Sequence, residues 1–87
     1  MWSVIWSERA LKRLAKLEVT TQRRIDVWAK RMARREHPRT DGVALQGKKY
    51  KGLWRYRVGG YRLICQIRDA ELVILVLEIG HRSNIYR

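Results

Sequence analysis

Trp2, Val4 and Trp6 alternate with Ser3 and Ile5 at the start of the chain. Period-2 alternation predicts a short strand over residues 2–6. Ser7 then offers a hydroxyl as a helix cap and Glu8 a carboxylate for the first turn, where free N–H groups and the helix dipole favour both. Ala10, Leu11, Leu14, Ala15 and Leu17 recur at helical spacing and predict one apolar face. Val19 interrupts the pattern, and Thr20 or Thr21 caps a second helix, Thr21–Arg35, with Ile25, Trp28, Ala29 and Met32 on its apolar face. Arg23, Arg24, Lys30, Arg31, Arg34 and Arg35 cover the rest. The expectation is an antiparallel two-helix hairpin with a basic exterior.

Residues 36–47, EHPRTDGVALQG, hold the chain's one proline and two glycines and read as the main loop, with a short extended piece at Val43–Leu45. Two alternating runs follow, Tyr50–Val58 and Tyr61–Ile67, joined by Gly59-Gly60. A glycine pair between alternating runs is a strong signal for a two-residue hairpin, because both central positions can take positive φ. Asp69-Ala70 marks another turn, and Leu72–Ile79 is almost wholly apolar, as a central strand must be. The order β-α-α-β-β-β predicts an α+β fold in one domain spanning residues 1–87: an N-terminal strand, a two-helix hairpin, then antiparallel strands completing one sheet with the helices packed on one face. Residues 36–47 supply His37 as an ordinary loop residue.

Alternation also divides the hairpin's side chains. A two-residue turn sets Val58 against Tyr61, Arg57 against Arg62 and Tyr56 against Leu63. Trp54, Tyr56, Val58, Tyr61, Leu63, Cys65 and Ile67 form the core side; Arg55, Arg57, Arg62, Ile64 and Gln66 form the other. Two arginines directly across from one another destabilise a sheet by a few tenths to about 1 kcal/mol. A phosphate between them reverses that sign. The alternative is a solvated basic face. A three-residue turn at Asp69–Glu71 puts Glu78 opposite Arg62, whereas a two-residue turn puts Glu78 on the other face, and the sequence leaves both open.

Charge sharpens the picture. The chain has 20 Lys+Arg against 8 Asp+Glu, a net charge of +12 in 87 residues. Such a field predicts a polyanionic partner, with nucleic acid first. No apolar stretch is long enough to span a bilayer, and MWSVIW is too short and lacks the basic flank of a signal peptide, so no membrane role and a cytoplasmic setting are expected. Cys65 stands alone, which excludes an internal disulfide and a Cys-based zinc site. No cofactor or metal is expected. The sequence ends GHRSNIYR, so His81, Arg82 and Tyr86 follow the central strand and are expected within reach of the basic face. A polar strand-end histidine and a core-anchoring tyrosine are the plainer alternatives.

The stretch WRYRVGGYRLICQI, the apolar strand LVILVLEIG and the ending GHRSNIYR resemble the RelE-like branch of the RelE/ParE toxin superfamily. WSERALKRLAKL is similar to the family's first helix, and ALQG to the segment before its second strand. The resemblance implies a type II toxin–antitoxin toxin that cleaves mRNA in the ribosomal A site without a metal, the RNA's own 2′-OH attacking the adjacent phosphorus. It places function on Arg55, Arg57, Arg62, Arg82 and Tyr86. It also implies an acidic antitoxin, contact with mRNA and rRNA, and contact with DNA only through the antitoxin. Arg55 and Arg57 stand where the best-known RelE-like toxins carry lysines. Arginine stays protonated and makes a poor base, which leaves Tyr86 or His81 to take the proton and makes Arg55 and Arg57 phosphate clamps. Two other readings remain: a ParE-like inhibitor of DNA gyrase acting by binding, and a catalytically weak toxin acting mainly in its antitoxin complex.

Overall fold

The computed structural model describes residues 1–81. The chain runs β1 (Ser3–Trp6), α1 (Glu8–Ala15), α2 (Val19–Arg34), β2 (Val43–Ala44), β3 (Leu53–Val58), β4 (Tyr61–Arg68) and β5 (Val73–His81), with short 3-10 turns at Pro38–Asp41 and Lys48–Tyr50. Among the described residues the strands form one sheet in the order β1-β5-β4-β3-β2. β1 lies parallel to β5, and the other neighbours are antiparallel. This is the expected α+β arrangement, with the apolar strand β5 inside the sheet.

One face of the sheet carries the core. Ile25, Trp28 and Met32 of α2 and Ala10 of α1 pack with Tyr56, Val58, Leu63, Cys65, Ile67, Ile74, Val76 and Ile79. Trp2, Val4 and Trp6 join them, as the alternation in β1 predicts. The Ser7 hydroxyl accepts from the Ala10 N–H at 3.0 Å and donates to the Leu77 carbonyl at 2.8 Å, so the cap also ties α1 to β5. Burial pushes the Cys65 thiol's pKa up, which keeps it protonated and inert.

Several details depart from the pattern. α2 begins at Val19, with Glu18 at the cap position, rather than at Thr20 or Thr21. α1 ends at Ala15, and Leu11 is 51% exposed, so its apolar stripe is narrower than the spacing suggested. β3 starts at Leu53 because Lys48–Tyr50 coils into a 3-10 turn. The extended piece near Val43 is a two-residue strand on β3.

The turn between β4 and β5 is neither of the two expected forms. Arg68 pairs with Val73, leaving a four-residue turn that includes Leu72 at φ 53°. A bulge then intervenes: Cys65 pairs with Val76 but Ile64 with Glu78, leaving Leu77 as the extra residue on β5. A one-residue slip exchanges the faces of every later side chain. Without the bulge Glu78 would lie under the helices; with it, Glu78 sits opposite Ile64 on the uncovered face.

The loop after α2 is fastened to the far end of the sheet. Tyr56 donates its hydroxyl to the Pro38 carbonyl at 2.8 Å. Gly42 lies so close to that ring that a Cβ would stand 2.8 Å from its Cε1, which requires glycine there. Arg39 grips Asp69 with two hydrogen bonds, of 2.8 and 2.7 Å, and lies 5.6 Å from the Trp54 ring centroid. That hydrogen bonding lowers the pKa of Asp69 and raises that of Arg39.

Candidate active site

β3 and β4 carry three arginines on the face that the helices leave open. Val58 pairs with Tyr61, Arg57 with Arg62 and Arg55 with Ile64. The next strand extends these rows, giving Arg57–Arg62–Gly80 and, beside it, Val43–Arg55–Ile64–Glu78. Strand alternation therefore gathers Arg55, Arg57 and Arg62 on one surface. Tight Gly59-Gly60 chemistry fixes the register; Gly59 sits at φ 60°, the left-handed region that such a turn requires.

Arg57 is exposed, but Arg55 and Arg62 do not simply project into solvent. Ile64, between them, is only 5% exposed although no helix covers its face. The Nε atoms of Arg55 and Arg62 are sealed from water, and that of Arg55 has no hydrogen-bond partner among the described residues. The stems of Arg55 and Arg62 therefore lie along the sheet beside Ile64 rather than standing out from it. Two concavities border the cluster. One of about 80 Å³ is lined by Arg57, Gly59, Gly60, Tyr61 and Arg62, and one of about 320 Å³ by Asp41, Val43, Arg55 and Arg57. A small basin walled by paired guanidiniums and glycine backbone suits a phosphate group.

His81 is placed elsewhere. It pairs with Tyr61, and its ring meets the Tyr61 ring edge-on at 5.6 Å. Tyr61 packs against the core, so His81 stands on the helix side of the sheet, across from Arg57 and Arg62. The bulge at Leu77 reverses the facing of residues 78–81, so His81 comes to the hairpin turn from the helix side, and its Nε2 lies 3.7 Å from where a Cβ on Gly60, at the rim of the smaller basin, would stand. Arg82 and Tyr86 lie outside the described residues.

The sequence of the chain matches, over residues 4–86, the family described as the ParE toxin of type II toxin–antitoxin systems. The chain belongs to this family. It is 32% identical over 83 residues to the mRNA interferase toxin RelE of Escherichia coli, covering 93% of this chain and 85% of that protein. In fold it superimposes with a TM-score of 0.81 on a chain of the toxin–antitoxin complex RelBE2 from Mycobacterium tuberculosis, at 26% identity, covering 93% of this chain and 98% of that one. An archaeal RelE–RelB complex from Pyrococcus horikoshii gives a TM-score of 0.78 at 25% identity, covering 95% and 97%. The protein is thus a RelE-like toxin of a type II toxin–antitoxin system.

Two features of the toxin escaped the sequence reading. Arg9 of α1 reaches the sheet, its Nη2 lying 3.2 Å from Oε1 of Glu78. Arg9, Lys12, Arg13 and Lys16 line one groove with Glu78, Ile79, Gly80 and His81. The signal was present in the spacing i, i+3, i+4, i+7, which marks one face of a helix as surely for cations as for apolar residues. Among the described residues no helix is long and apolar enough to cross a membrane.

Proposed function

We propose that the toxin is an mRNA endonuclease acting in the ribosomal A site without a metal. One arrangement supports this: Arg57 directly across from Arg62, with Arg55 on the same open face, in a chain 32% identical to an mRNA interferase. The message's 2′-OH attacks the adjacent phosphorus, its proton passes to the enzyme, and the P–O5′ bond breaks as the 5′-oxygen leaves and takes up a proton from water. The products are a 2′,3′-cyclic phosphate and a 5′-hydroxyl. Arg55, Arg57 and Arg62 hold the phosphate and neutralise the charge that builds on its oxygens in the transition state. Arg82, which the family resemblance implies as a site residue, steadies the leaving oxygen. The proton acceptor is Tyr86 or His81, the two candidates that the poor basicity of arginine leaves. Nearby guanidiniums would ease ionisation of the Tyr86 phenol, which the family resemblance assigns to the same site.

The positive field of +12 draws the toxin to rRNA and to an acidic antitoxin. Its homologues in the M. tuberculosis and P. horikoshii complexes are bound to RelB-type partners, which supports the same for this chain. Contact with DNA then comes through the antitoxin, in the cytoplasm.

Primer extension on a translated message tests the reading: cuts fall within codons, and the upstream fragment ends in a cyclic phosphate. A message with a single 2′-deoxy position at the cut site escapes cleavage there. Toxin dialysed against EDTA before mixing with ribosomes keeps its rate. The ParE name of the matched family favours one rival, inhibition of DNA gyrase by binding. Supercoiling defects with intact messages would establish that rival and remove the nuclease.

A further inference from the structure

The groove between α1 and the end of β5, about 330 Å³, lies on the other side of the β5 edge from the arginine face. Arg9, Lys12, Arg13 and Lys16 form one wall. At 1.5 Å rise per residue that stripe is about 10 Å long, roughly three steps of about 3.4 Å along a stacked strand. Two of its cations already have partners: Arg9 pairs with Glu78 at 3.2 Å and Lys12 with Glu8 at 3.6 Å. Arg13 and Lys16 have no carboxylate partner among the described residues.

We propose that this groove is a second phosphodiester subsite, holding the backbone of the same RNA strand a few nucleotides from the bond cut on the arginine face. The inference rests on the nuclease reading for the identity of the strand. Continuity carries it. Gly80 lines the groove and also pairs with Arg62, so the two surfaces meet at a position with no side chain to obstruct a passing strand. Arg9 spans the same edge, held by Glu78, a carboxylate on the open face. An amphipathic protein helix is a poorer occupant. The groove's one apolar side chain, Ile79, is 4% exposed and belongs to the core, so such a helix finds no hydrophobic seat.

The test uses 2′-O-methyl RNAs of three and nine nucleotides, which bind but cannot be cut, with the whole toxin. Arg13→Gln/Lys16→Gln should weaken the nonanucleotide about tenfold near physiological salt and lower its salt slope by about 1.4, while leaving the trinucleotide unchanged. Arg31→Gln/Arg34→Gln, which removes equal charge from exposed positions of α2, should have a smaller effect on the nonanucleotide. Equal losses on both RNA lengths, or an equal loss from the α2 pair, would reduce the groove to part of the general field and overturn the proposal. So would unchanged nonanucleotide binding together with lost affinity for an acidic peptide. Arg57→Gln/Arg62→Gln asks the separate question: trinucleotide binding that survives it refutes the arginine face as the RNA site, whichever way the groove experiment falls.

Discussion

The two faces of the sheet are made by the same strands and solve opposite problems. On the covered face, Tyr56, Leu63, Cys65, Ile74 and Val76 are 0–1% exposed, and the Tyr56 hydroxyl is satisfied by Pro38. On the open face, Arg57 confronts Arg62, and the Nε of Arg55 is buried without a protein acceptor among the described residues. The first arrangement lowers the free energy of the folded chain. The second sets like charges opposite one another, an arrangement that a bound anion would favour. Such a face is the kind of surface a binding or catalytic site requires.

The sharpest way to break this contrast is to remove one guanidinium. Arg57→Ala and Arg62→Ala should each slow single-turnover cleavage by about 10²–10³-fold, the usual effect of losing one charge-stabilising donor. Their thermal midpoints should hold or rise, since a like-charge cross-strand pair disappears. A fall in both activity and stability would instead make the arginines structural. On the covered face the effects should invert. Leu63→Ala should cost about 2–5 kcal/mol in urea unfolding through lost burial and a residual cavity, with the cleavage rate per folded molecule unchanged.

Tyr56→Phe is a finer probe of the same face. It strands the Pro38 carbonyl and should cost about 1–2 kcal/mol, read from the same denaturation curves. The smallest effect concerns the rim, where Arg39 holds Asp69. Because the folded pKa of Asp69 is lowered, its contribution is present above the ordinary aspartate pKa and fades as pH falls through the lowered value. Asp69→Asn should therefore lower stability slightly near neutrality, leave it unchanged in acid, and so flatten the acid limb of the stability–pH curve. The Asp69 carboxylate is exposed, so solvent screens the pair.

The bulge at Leu77 shows where sequence reasoning ends. Gly59-Gly60 dictates a two-residue turn through local φ requirements, so the facing of Arg57 and Arg62 could be read directly from the letters. Nothing local marks Leu77 as an extra residue, because LVILVLEI is apolar at every position before Glu78 and offers no alternation to break. The bulge is set by how β5 fits between β1 and β4 while α1 docks along its edge through Ser7. The bulge settles the face of Glu78, which the sequence left open, and turns His81 toward the helix side. Leu11 was misplaced for a related reason: α1 is short and its contact with the sheet is narrower than its apolar stripe.

By itself the sequence determined the element order, the core side of β3 and β4, the cluster of Arg55, Arg57 and Arg62, and the strong positive field. Each follows from interactions within a few residues or from composition. Only the tertiary structure decided that His81 stands behind the sheet, that Glu78 stands before it holding Arg9, and that α1 and β5 enclose a basic groove. Those placements depend on strand register and helix docking between segments some seventy residues apart, as with Ser7 and Leu77. There a one-residue slip reverses a face, and no local preference specifies it.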